Sequence, residues 1–218
     1  MARIARVVVP GMPHHVMQRG VRGMNVFFSD ADRHAYLDLL STYGQRFGVC
    51  FLAWCLMSNH VHLIAVPEDG LSLARGIGEA HRRYTCQVNF REGWRGYLFQ
   101  GRFHSCPLDG QYLLAAIRYV LRNPVRVGMA DKPWDYPWSS ARWIVGDVPE
   151  DALATPSEML ADITDWRSFL EGDTGQLGEL RQHTRTGRPL GNETFNHQIE
   201  SLIGRVVRPQ KRGPKRRS

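Results

Sequence analysis

Two apolar runs, VCFLAWCLM (49–57) and HVHLIAVP (60–67), are separated by only two residues. Each is too short for most helices, and Ser58-Asn59 supplies a turn, so together they predict a β-hairpin. Long helical periodicities flank this hairpin. Upstream, Tyr36, Leu37, Leu40, Tyr43 and Phe47 recur at three- and four-residue intervals behind a cap at Asp30 or Asp32 and stop at Gly48. Downstream, Leu73, Ile77, Ala80, Tyr84 and Val88 mark a helix over 71–90. HHVMQRG (14–20), between Pro13 and the VRGMN loop, is expected to be a strand, as is a stretch near 97–107. A third helix over 110–123 begins behind Asp109 as N-cap and ends before Pro124. The order is β-α-β-β-α-β-α. Its first six elements match the split βαβ of a ferredoxin-like α+β fold, an antiparallel sheet with helices on one face.

A chain of 218 residues, 43% hydrophobic and 22% charged, can bury the core of one domain, or of one domain plus an appendage, which excludes disorder throughout. No apolar run approaches the roughly 18 residues needed to span a bilayer, and MARIARVVVPG does not read as a signal peptide. Cys50, Cys55, Cys86 and Cys106 form no C-x-x-C pair. A cytoplasmic protein with reduced thiols and no membrane association is expected.

The charge is unevenly spread. Residues 1–148 hold 17 Lys+Arg against 11 Asp+Glu, residues 149–204 hold 4 against 10, and residues 205–218 hold 7 against none. All but Lys132, Lys211 and Lys215 of the cations are arginine, whose planar five-donor fork suits phosphate. The chain therefore divides into a unit over 1–145, an acidic, partly helical appendage over 146–204, and a disordered basic tail over 205–218. Within the appendage, one helical stretch surrounds Trp166, Phe169 and Leu170. Another, behind Asn192, carries Phe195, Ile199, Leu202 and Ile203.

One residue separates His60 from His62, so on a strand both side chains project from the same face. They form either half of a divalent-cation site or a pair of hydrogen-bonded histidines. Tyr119 and Asn123, four apart on the third helix, share a face as well. Asn123 can lend a carbonyl oxygen to a hard cation with the Tyr119 phenol beside it; alternatively, Tyr119 is core and Asn123 merely ends the helix.

PHHVMQRG, LMSNHVHLI, RRYT, QGRFHS, RYVLRNPVR and DYPWSS occur in an order and spacing that resembles the REP-associated tyrosine transposases, over about Pro13 to Arg142. TGRPLG and the basic tail resemble C-terminal extensions of some members more weakly. The resemblance implies a ferredoxin-like HUH nuclease in which His60, Val61 and His62 supply the His-hydrophobic-His motif and Tyr119 is the nucleophile. Asn123 then stands where the family places a third polar metal ligand, although insertion-sequence relatives often carry glutamine there. It further implies Mg2+ or Mn2+ as cofactor and single-stranded DNA at palindromic hairpins as substrate, cut and rejoined by a protein more often monomeric than dimeric.

Candidate DNA contacts are Arg19, Arg22, Arg82, Arg83, Arg102, Arg118, Arg122 and Arg126. Phe99 and Phe103 are either stacking platforms or core, and His14, His15 and His104 either touch DNA or serve structure. Two other functions fit the same residues. One is a hairpin-binding protein or repressor without turnover, and the other a metal phosphoesterase in which water attacks.

Overall fold

The computed structural model describes residues 5–172 and 177–208. Strands β1 (His14–Arg19), β2 (Val49–Met57), β3 (His60–Pro67) and β4 (His104–Pro107) make one antiparallel sheet in the order β2-β3-β1-β4. The hairpin thus inserts β3 between β2 and β1, as a split βαβ requires. Helices α1 (Asp30–Arg46) and α2 (Ser72–Glu92) lie together on one face of the sheet. Their Tyr36, Leu40, Ile77 and Tyr84 pack on Val16, Trp54, Leu56, Val61 and Leu63.

The other face is also covered. Helix α3 (Gly110–Leu121) packs Leu113, Ala116, Ile117 and Val120 on Ala53, Cys55, Met57 and Ile64. Asp109 caps it by accepting from the Tyr112 N–H. Pro124 does not stop the chain, because it occupies the first turn of the short α4 (Asn123–Arg126), where its missing N–H has no helical partner to lose. The expected strand over 97–107 shrinks to its last four residues. Gly96 and Gly101 both take positive φ, and upstream only a single bridge, Phe99 to Gly20, joins the sheet.

The cap of α1 is Ser29 rather than either aspartate. Its hydroxyl accepts from the Asp32 N–H while the Asp32 carboxylate accepts from the Phe28 and Ser29 N–H groups and from Arg91. Burial pushes the Asp32 carboxyl up, but the Arg91 guanidinium and these N–H groups outweigh it and hold the group below its usual range. Asp32→Ala is expected to cost about 2 kcal/mol at neutral pH. The depressed value means that this contribution is present above the unfolded carboxyl pKa and disappears as pH falls through the folded one, which urea titrations at pH 7 and below pH 4 would check.

Residues 146–204 are not an appendage. Leu153 and Ala154 belong to the core under α1 and α2, and Leu160, Leu170, Leu180 and Leu190 to the core under α3. Helix α5 (Ala141–Ile144) adds Ala141 and Ile144 to the latter core, Leu160 lies in a 3-10 turn (Glu158–Leu160), Leu170 and Leu180 lie on α6 (Trp166–Glu171) and α7 (Leu177–Thr186), and Leu190 follows α7. Helix α8 (Glu193–Ile203), capped by Asn192 as expected, packs Phe195 and Ile199 on Val7 and Val9. The expected disordered tail does not begin at 205. Val207 is buried in that small cluster, Arg205 donates to the carbonyls of Ala5 and Arg6, and Arg208 pairs with Glu200. The rest of that expected tail, 209–218, lies outside the described residues. All four cysteines are free, and no described helix is long and apolar enough to cross a membrane.

Candidate active site

Pairing of β1 with β3 sets Met17 opposite His62, Arg19 opposite His60 and His15 opposite Ile64. Side chains alternate along strands, so His15, His60 and His62 all face α3. His60 and His62 stand edge to face with ring centroids 5.0 Å apart, whereas His15 and His62 are stacked at 5.1 Å.

For His60, hydrogen bonds fix which nitrogen carries the proton. The Gly23 carbonyl can only accept, so the Asn59 amide turns its Nδ2 toward it at 3.1 Å and its Oδ1 toward His60 Nδ1 at 2.6 Å. His60 therefore carries its proton on Nδ1 and keeps a lone pair on Nε2. His62 Nδ1 is engaged by His15 Nε2 at 2.9 Å, and His15 Nδ1 by Thr184 Oγ1 at 2.7 Å. His62 Nε2 is left outside this relay. Burial lowers His60 to about 4, with Arg19 and Arg126 adding to the shift. It also lowers His15 to about 3 and His62 well below its usual value. All three rings are neutral at pH 7, the state in which imidazole nitrogen binds a metal.

Tyr119, on α3 and 5% exposed, turns its ring edge-on to His62 at 5.4 Å and to His15 at 5.8 Å. Its Oη accepts from Arg181 Nε at 3.5 Å, and the guanidinium carbons of Arg126 and Arg181 each lie 5.7 Å from its ring centroid. The tyrosine is buried, yet its surroundings are histidine and arginine. Asn123 is fully buried below it, donating to the Tyr119 carbonyl at 3.4 Å and accepting on Oδ1 from Arg126. The fold thus brings His60, His62 and Tyr119 together, but Asn123 directs its amide oxygen to a guanidinium. Among the described residues no three His, Cys, Asp or Glu side chains gather as a metal cluster.

The arginines separate by location. Arg19, Arg22 and Arg126 are exposed on the strand, loop and helix that frame the histidines. Arg22 holds a left-handed backbone, φ 55°, which is uncommon for a side chain of this kind. Arg102 is exposed in the loop before β4. Arg82 and Arg83 lie on α2, across the sheet from Tyr119, and both pair with Glu79 at 2.6 and 2.9 Å. Arg118 lies over the Phe169 ring at 4.0 Å, and Arg122 donates to the carbonyls of Glu171 and Gly172 at the end of α6. These last two hold the fold together.

Of the histidine pair in PHHVMQRG, only His15 reaches the site. His14 faces the opposite way, bonded at Nδ1 to the Met12 carbonyl and accepting the Val9 N–H at Nε2. His104 is half-buried opposite Met17 in β4. Phe99 and Phe103 are both core. Arg181 and Thr184 were not legible as site residues. They sit on a polar helix with no motif of its own, and the TGRPLG stretch that follows is the one sequence signal nearby.

These features define a ferredoxin-like α+β protein whose sheet presents neutral histidines to a tyrosine on the covering helix. The chain belongs to the family of IS200-like transposases, whose sequence model matches residues 9–123, more than half of its length. Its activity is accordingly of the transposase kind, the processing of DNA. A solved REP-associated tyrosine transposase bound to a REP hairpin has the same fold, with TM-score 0.54 and 16% identity over 72% of this chain and 93% of that one. A Deinococcus radiodurans structure carrying a provisional transposase assignment matches 55% of this chain and 95% of its own at 17% identity and TM-score 0.39. No curated protein matches.

Proposed function

We propose that this protein is a metal-dependent single-stranded DNA endonuclease and strand transferase acting at hairpins of palindromic repeats. Tyr119 is the nucleophile. The observation that carries the reading is the packing of the Tyr119 ring edge-on to the neutral His62 imidazole, with His60 5.0 Å beyond it; both histidines are hydrogen-bonded at Nδ1, and neither Nε2 has a bond among the described residues. In the strand-transfer step the Tyr119 Oη–P bond forms, the P–O3′ bond breaks, and the phenol proton ends on the departing 3′ oxygen. The count of phosphoester bonds is unchanged, so the 5′-phosphotyrosine can be reversed onto another 3′ end without ATP.

The residues present fit a divalent cation. Metal-binding histidines are characteristically held by a hydrogen bond at the second ring nitrogen, as Asn59 holds His60 and His15 holds His62. His60 and His62 would hold Mg2+ or Mn2+, and Asn123 would serve as third ligand only by turning its amide oxygen away from the Arg126 guanidinium. A cation held by these residues would supply polarisation of the scissile phosphate, and imidazole ligands would favour Mn2+ over Mg2+. Arg19, Arg22, Arg102 and Arg126, all exposed, are the arginines we assign to DNA phosphates. His60, His62 and Tyr119 meet without a second copy of the chain, so a monomer would suffice for the reaction. The REP hairpin held by the structural relative supports the substrate class.

His60→Ala is expected to abolish cleavage of a single-stranded hairpin with little change in melting temperature, because His60 is only partly buried. His62→Ala abolishes cleavage too, but leaves a buried His15 nitrogen without its partner and so costs about 1–3 kcal/mol of stability. Metal-dependent cutting assays beside thermal melts check both, and full activity in either variant removes the histidines from the cation site. Deleting residues 209–218, with their five cations, is expected to flatten the salt dependence of hairpin binding by a log-log slope of at most about 3.5 while preserving site choice. An unchanged slope would give that segment another partner.

A further inference from the structure

Helix α7 lies outside the segment 9–123 that carries the family match, yet two of its side chains enter the site. Arg181 and Thr184 are three residues apart and share a helical face. Thr184 is buried and anchors His15, which in turn holds His62. Arg181 is open to solvent and directs its Nε–H at the Tyr119 oxygen.

The other cations around the tyrosine are differently employed. Arg118 and Arg122 clasp α6, and Arg126 contacts the Asn123 amide. Arg181 appears in none of the ion pairs among the described residues, and Glu179, the acid nearest it in sequence, accepts from the Tyr112 hydroxyl at 3.0 Å. No described carboxylate therefore neutralises its charge. A guanidinium that spends Nε on one oxygen still has two terminal amino groups in the same plane, the geometry that suits phosphate oxygens.

We propose that Arg181 is a catalytic residue, with its Nε–H on the Tyr119 oxygen and its terminal N–H groups on the non-bridging oxygens of the scissile phosphate. This rests on Tyr119 being the nucleophile. Arg181 exchanges no proton at any stage. As the Oη–P bond forms and the P–O3′ bond breaks, its charge offsets the negative charge that gathers between phenol and phosphate. In rejoining, the same contact stabilises the departing phenolate, so both directions gain. The catalytic unit accordingly extends beyond residue 145 to include α7.

The test compares Arg181→Ala and Arg181→Lys with wild type and Tyr119→Phe, using an end-labelled single-stranded hairpin and Mn2+. Arg181→Ala is expected to slow adduct formation and rejoining alike by about a hundredfold or more, with hairpin affinity and melting temperature near wild type. Arg181→Lys should fall between, and millimolar methylguanidinium should restore part of the Ala variant's rate. A purely structural arginine would not be replaced by a diffusible cation. Wild-type rates in Arg181→Ala, or slow rates that neither lysine nor methylguanidinium improves, would overturn the proposal and leave the nucleophile standing. Cutting by wild type with no covalent adduct overturns the nucleophile itself, and the proposal with it.

Discussion

Tyr119→Phe is expected to bind the hairpin with nearly wild-type affinity and to form neither a covalent adduct nor a cleaved strand, a loss of at least about a thousandfold. The substitution removes one oxygen and keeps the ring that packs edge-on to His15 and His62. Its only described partner at that oxygen is the exposed Arg181, so the stability change should stay within about 1 kcal/mol. No other tyrosine is placed to substitute. Tyr84 is buried on the opposite side of the sheet with its hydroxyl donated to the Val26 carbonyl. Tyr112 donates to Glu179, and that bond, reinforced by burial, raises its pKa and makes it harder to ionise. Tyr97, 84% exposed, belongs to the loop before β4 on the side of α2. Denaturing gels with end-labelled DNA read both products. A persisting adduct in Tyr119→Phe would move the nucleophile elsewhere, whereas persisting cleavage without any adduct would establish attack by water.

The second large effect is acid instability beginning well above the carboxylate range. Burial lowers His81, whose Nε2 is bonded to the Tyr36 hydroxyl at 2.7 Å, to about 3. It lowers His14 to about 4 against the opposing hydrogen bond to Met12. Both lie away from the proposed cation site. A histidine with a depressed folded pKa binds its proton in the unfolded chain first, so stability is full above pH 6.5 and falls as pH drops from there toward the folded values. At pH 5 each such histidine has cost about 2 kcal/mol relative to pH 8, a large share of the 5–15 kcal/mol typical of a domain. His15, His60 and His62 add to the same trend. Urea unfolding between pH 8 and pH 4.5 should show a steep loss. His81→Gln should reduce its slope by about 1.4 kcal/mol per pH unit. Stability that is flat from pH 7 to pH 5 would contradict the neutral, buried state of these rings.

Much of this protein is written in short-range pattern. The two apolar runs and the turn between them determine the β2–β3 hairpin, and three- and four-residue spacing determines α1, α2 and α3. Asp109 and Asn192 mark helix starts because a side-chain oxygen before a helix satisfies an N–H that has no other partner. Strand alternation alone puts His60 and His62 on one face, and the motifs around them indicate Tyr119. Tertiary structure decided what surrounds these residues. His15 joins His62 only because β1 pairs with β3 in one register, across 47 residues, and Thr184 reaches His15 across 169. Equally, nothing local distinguishes Arg122, bonded to the end of α6, from Arg126, which faces the tyrosine. A hydrogen bond or cation contact between distant segments imposes no periodicity on either one. Only the packing of α7 over the sheet brings residues far beyond the matched motifs to His15 and Tyr119.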